Sequence, residues 1–277
     1  MRRKIFCNFK VLAWFAVFLV SPVLIWFAVS LAIDGFPGVT PSTIISRIPM
    51  VQDSSDNSDF LVLTNFRDST ASATVSLYDT TGGLTAVTVS VDEHQVSIVD
   101  ISEVSLVQGI YSLEVDAPES IHSMVITGPS DFHSISLRKL TRGSLSTETR
   151  TLSLPMMAHF EWASGDLFLA NFDDRSAVVS ITVYDLTGTT VTERELTLGA
   201  NAILQITAEE LIGAGQEGIF SAIISAPGTV LGVYTVTDPD NDKGYYPLGG
   251  EPSGEGLSAD GPTVRRGKEG VILNKWS

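Results

Sequence analysis

Residues 71–82 read ASATVSLYDTTG, and residues 177–188, 106 positions later, read AVVSITVYDLTG. In the first stretch Ala71, Ala73, Val75 and Leu77 alternate with Ser72, Thr74 and Ser76; in the second, Ala177, Val179, Ile181 and Val183 keep the same parity. A period of two puts all the apolar side chains on one face of an extended strand, because successive Cβ atoms point to opposite sides. A slip of one residue would turn the whole set to the other face, so the matched parity describes two strands built to one plan. The YD-T-G ending closes each strand. An Asp side chain there bonds to nearby backbone N–H groups, and Gly adopts the positive φ that a hairpin turn needs. The hexapeptide thus predicts one hairpin occurring twice. A ligand site made of Tyr78, Asp79, Tyr184 and Asp185 is the sharper alternative, but turn chemistry alone accounts for those residues.

The correspondence extends outward from the hairpin. At the same offset Ile48-Pro49-Met50 meets Leu154-Pro155-Met156, and DFLVLTNF (59–66) meets GDLFLANF (165–172). Beyond the hairpin the offset drifts to 109, so that Gly109-Ile110 meets Gly218-Ile219 and Ala117-Pro118 meets Ala226-Pro227. Landmarks recurring in one order indicate a tandem duplication. Short segments rich in Val, Ile, Thr and Ser lie between turn signals such as Thr81-Gly82-Gly83, Pro118 and Pro227-Gly228, giving roughly seven strands per unit. The predicted class is all-β, with two antiparallel β-sandwiches in tandem. A unit of about 105 residues is close to the roughly 100 of an immunoglobulin-like sandwich.

The chain begins MRRKIFCNFK and continues with an uncharged run of 23 residues, 11–33. About 20 apolar helical residues cross a bilayer, whereas the apolar region of a signal peptide is usually about 7–15 long. Residues 1–33 are therefore expected to be a basic head and a transmembrane anchor, with basic residues on the cytoplasmic side and the rest exported. Signal cleavage near Ala32, after the small residues of Ser30-Leu31-Ala32, is the alternative and would give a secreted chain. Without Arg2, Arg3, Lys4 and Lys10 the remainder holds 13 basic and 32 acidic side chains, a formal −19. Such a surface repels nucleic acid and anionic lipid heads. Cys7 is the sole cysteine, so no disulfide can form within the chain.

The remaining boundaries follow from composition. Residues 34–130 and 149–240 are the two sandwich repeats. Residues 131–148 join them and contain one possible edge strand at 135–140. Arg138, Lys139 and Arg142, with Arg150 just beyond, make the joint basic, which reads as a solvated linker or as a docking patch for an acidic partner. Residues 241–277, rich in Gly and Pro, read as a flexible tail.

Catalytic signals are sparse. His94, His122, His133 and His159 stand at no metal-ligand spacing, and no G-x-S-x-G elbow or phosphate-binding glycine loop occurs. No enzymatic activity is expected. Asp238, Asp240 and Asp242, in DPDNDKG, are the hard oxygen donors that calcium takes up, although Gly falls at the seventh place and no Glu at the twelfth. Trp162, beside Glu161, is a candidate glycan platform; packing inside the protein is the competing use of its ring.

With these motifs in hand, the chain resembles the tandem immunoglobulin-like repeats of exported bacterial proteins of unassigned function. The resemblance spans about residues 43–240 and is carried by IPM and LPM, by FLVLTN and LFLAN, by the two YD-T-G strands and by the late Gly-Ile strands. Members often have Pro after the Asn, where this chain has Phe66 and Phe172. The resemblance implies an envelope or surface setting and a structural, adhesive or protein-interaction role, and it transfers no catalytic residues. A carbohydrate-binding module is the alternative. The partners expected are a membrane through residues 11–33, an envelope protein and, on the alternative, a glycan; the site expected is a bacterial envelope, anchored in the inner membrane with the β domains outside.

Overall fold

The computed structural model describes residues 42–54, 57–129, 134–160, 164–237, 243–248, 264–267 and 270–273. The chain divides after Ser42, and the architecture below belongs to Thr43–Ser277. Residues 11–33 lie outside the described residues; among those described, no helix is long and apolar enough to cross a membrane.

The order of strands recurs along the chain. The first copy runs β1 (Thr43–Asp53), β2 (Asn57–Asn65), β3 (Ala71–Tyr78), β4 (Leu84–Val91), β5 (Val96–Asp100), α1 (Ile101–Val104), β6 (Gly109–Pro118), β7 (Ile121–Pro129) and β8 (Ser134–Lys139). After the short β9 (Thr141–Arg142), the second runs β10 (Thr149–His159), β11 (Ser164–Asn171), β12 (Ala177–Tyr184), β13 (Thr190–Leu198), β14 (Ile203–Thr207), α2 (Ala208–Ile212), β15 (Gly218–Pro227), β16 (Val230–Thr237) and β17 (Lys243–Pro247). The second copy consists of two antiparallel sheets, ordered β10-β15-β12-β13 and β14-β11-β16-β17. The first copy repeats both as β1-β6-β3-β4 and β5-β2-β7-β8, made continuous where Asp53 pairs with Ser58. A hairpin of β18 (Val264–Gly267) and β19 (Gly270–Leu273) extends the first copy beyond β8.

Alternation decides which face each strand buries. Ala73, Val75 and Leu77 on β3, and Ala177, Val179, Ile181 and Val183 on β12, are buried. They join Leu61, Leu63 and Leu113 in the first core, and Leu167, Leu169 and Ile224 in the second. Each core is fed by both sheets of its copy, the layered arrangement that lets two one-sided sheets bury their apolar faces. Both hairpins close alike. The Asp79 carboxylate accepts hydrogen bonds from the backbone N–H of Thr81 at 2.7 Å and Gly83 at 2.8 Å; Asp185 does the same for Thr187 at 2.8 Å and Thr189 at 2.9 Å. Gly82 and Gly188 take φ of 84° and 80°.

Each first strand carries a bulge at its proline. The register of β1 on β6 shifts between Ile48 and Val51, and that of β10 on β15 between Leu154 and Met157. Proline has no N–H to give a ladder, so a bulge is where a strand accepts it. Val51 and Met157 enter the cores, while Met50 and Met156 point away from them.

Candidate interaction surface

Where the copies meet, residues from the outer faces of their sheets form a third apolar cluster. Met50 packs with Phe168, Ala170, Ile203 and Val233, and Ile110 and Phe172 close its flanks. The side chains of β11, β14 and β16 that face away from the second core thus have a second cover, supplied by β1 and β6. Polar contacts frame the joint. The Arg47 guanidinium lies 5.7 Å above the centre of the Phe172 ring, a cation–π distance. Its Nε donates to Glu114 at 2.8 Å and its Nη1 to the Gly143 carbonyl at 2.9 Å. The Ile203 N–H donates to the Asp79 carbonyl at 3.4 Å, so the first hairpin turn also touches the second copy. Burial, and then the Glu114 carboxylate, push the Tyr78 phenol above its ordinary value, with Arg47 opposing.

The corresponding face of the first copy is open at its flanks, around a buried Val62. Pairing sets Val62 beside Ile98 and Met124, and Thr64 beside Val96, as Phe168 stands beside Gln205 and Val233, and Ala170 beside Ile203. Val96 is 57% exposed against 2% for Ile203, and Met124 is 38% against 4% for Val233. Ile98 and Phe66 are exposed by more than half, and Phe66 makes a T-shaped contact with the His122 ring, at 5.1 Å between centroids. Apolar side chains clustered on one exposed sheet face mark an interaction site, whereas scattered ones do not.

A buried asparagine ties the loop at the end of this surface, and its counterpart does so in the second copy. Asn65, fully buried at the end of β2, donates through its amide to the carbonyls of Ser69, Val91 and Asp92 and accepts from the Arg67 N–H. Asn171 does the same with Arg175, Gly199 and the Asp173 N–H. The asparagine that ends both FLVLTN and LFLAN therefore pins the loop after it to the turn before β5 or β14. In the second copy the same loop holds Asp173 against Arg175, whose guanidinium pulls the carboxyl down to about 2.

The four basic residues of the joint have different surroundings. Arg138, on β8, is buried and pairs with the buried Asp59; it also donates to Thr127 at 2.7 Å and to the Met50 carbonyl. Arg150 is half-buried and donates to the Val230 carbonyl at 2.8 Å, and burial lowers its pKa. Arg142 donates to the Glu119 carbonyl at 3.2 Å, and Lys139 is exposed.

Trp162 and the Asp238, Asp240 and Asp242 cluster lie outside the described residues. Among the described residues, no three His, Cys, Asp or Glu side chains are grouped to hold a metal ion. The open face was missed from sequence although a signal was there. The run FLVL in β2 is apolar on both faces, which is how a strand covered on both sides reads. No protein-family model matches the chain and no curated protein matches it, so the geometry of the joint and of this face carries the functional argument.

Proposed function

We propose that this chain is a non-enzymatic structural or protein-interaction component of a bacterial cell envelope, held at the inner membrane by residues 11–33, with two tandem immunoglobulin-like sandwiches outside the cytoplasm. The observation that carries this reading is the apolar face of Phe66, Val96, Ile98 and Met124, open in the first copy and occupied by a protein surface in the second. A face of that chemistry on an acidic chain suits a protein partner, because apolar anchors ringed by polar groups dominate such contacts.

The immunoglobulin reading is supported by the pairing of the second strand with the fifth and of the third with the sixth. It departs from the usual assignment at three strands: the first and the fourth join the sheet of the third and sixth, and the seventh joins that of the second and fifth. The membrane and envelope setting rests on the basic head, the apolar run and the acidic remainder.

Crosslinking in cells, followed by gentle isolation, tests the interaction role. The expected result is a stoichiometric protein partner that is lost from the Ile98→Asp variant while the variant still folds. Recovery of the chain alone, or with wall polysaccharide, would overturn the reading.

A further inference from the structure

The joint inside the chain has two halves, and each half is present a second time without its mate. The first copy contributes Met50, Ile110 and the turn at 79–82; the second contributes the face around Phe168, Ile203 and Val233. By repeat position, Met156 corresponds to Met50 and Ile219 to Ile110. Met156 is 47% exposed where Met50 is 1%, and Ile219 is exposed too. The turns tell the same story. A Cβ on Gly82 would stand 2.3 Å from the Ala200 carbonyl oxygen, whereas a Cβ on Gly188 would meet nothing within 4 Å. The receiving face recurs as Val96 for Ile203, Met124 for Val233 and Phe66 for Phe172, all three exposed, around Val62 for Phe168, which is 8% exposed.

We infer that the chain assembles head to tail with further copies of itself, the end of one second copy carrying Met156 and Ile219 seating on the Val96, Ile98 and Met124 face of the next chain's first copy. This deepens the interaction role proposed above by naming the partner. The internal joint is the template for the external one, and the occupant is chosen because the donor and the receiver are both carried by one molecule. Such a contact is heterologous: each chain offers one free donor and one free receiver, so the array extends by one chain at a time unless its rotation closes. The second donor end differs at its rim. Ser153 replaces Arg47 and Ile223 replaces Glu114, so the external joint lacks the guanidinium over the phenylalanine ring and gains an exposed isoleucine. At that point of the donor end an isoleucine stands where the internal joint has a charge pair.

The test uses two differently tagged full-length chains, both with Cys7→Ser, co-expressed and oxidised with copper phenanthroline. One carries Met156→Cys and the other Met124→Cys or, as a second geometry, Val96→Cys. A single chain with Met50→Cys and Val233→Cys is the control for the internal joint and should form an intrachain disulfide. The expected result is a mixed-tag dimer with at least one receiver position, reduced at least tenfold by Ile98→Asp on the receiving chain. No mixed dimer with either receiver, as when residues 1–42 or another protein cover the face, would overturn the inference. So would an equally strong dimer of Met156→Cys with itself, or failure of the internal control. Failure of the mixed dimer alone leaves the interaction role standing, because a different protein can still be captured in cells.

Discussion

Two equivalent positions solve one packing problem with opposite chemistry. In the second copy Gly165 leaves room for the buried Tyr234, whose hydroxyl donates to the Ala158 carbonyl at 3.1 Å; a Cβ at 165 would fall 1.9 Å from that hydroxyl oxygen. In the first copy the corresponding residues are Asp59 and Val125, and the smaller valine accompanies a carboxylate met by Arg138. Removing one member of a buried pair leaves the other charged and unpaired. Arg138→Met should therefore destabilise by about 3–5 kcal/mol, while Asp59→Leu combined with Arg138→Met should recover most of that loss. Urea unfolding of the three variants measures it; a single variant as stable as the parent would remove Asp59 and Arg138 from the account of the core. Thr81, Gly83, Thr187 and Thr189 hold the hairpin carboxylates. Burial raises the Asp79 pKa, but hydrogen bonds from Thr81 and Gly83 outweigh it; the Thr187 hydroxyl is the largest influence lowering that of Asp185. A folded pKa below the ordinary 3.8 means stability that is complete above that value and lost as pH falls through the lower folded value. Asp79→Asn with Asp185→Asn keeps the accepting oxygens, so its melting temperature should fall less steeply than the parent's below about pH 4. Parallel melting curves against pH would contradict this.

At the scale of elements, the repeated hairpins were the part most legible in the sequence, because alternation and turn residues are local. The eighth strands were less so. The strand β8 lies in a stretch of mixed charge, and the inward Arg138 breaks the apolar alternation there; β17 lies among Gly, Tyr and Pro. The joint was not legible at all, since which outer face is covered depends on how two distant copies meet. The two turn glycines separate these levels. Both hold positive φ, so Gly188→Ala should cost about 1–2 kcal/mol for a left-handed alanine. Gly82→Ala adds the collision with Ala200 and should cost more. Thermal melting compares them directly; equal losses would mean that the first turn does not touch the second copy.

Thr43–Pro247 is a duplicated set of strands in which the same side chains meet different surroundings. Met50 and Met156 follow equivalent prolines in equivalent bulges, yet one is sealed into the joint and the other faces outward. Neither the repeat nor its periodicity distinguishes them; only the three-dimensional apposition of β1 with β11 and β16 does. Methionine oxidation reads that difference residue by residue, because a thioether reacts as its exposure allows. The deciding measurement is mass-spectrometric peroxide labelling of the full chain, dilute enough to hold it as single copies. The account predicts fast oxidation of Met156 and Met124 with Met50 and Met157 protected. Met50 oxidising as fast as Met156 would contradict it, because the joint between the copies would then be open.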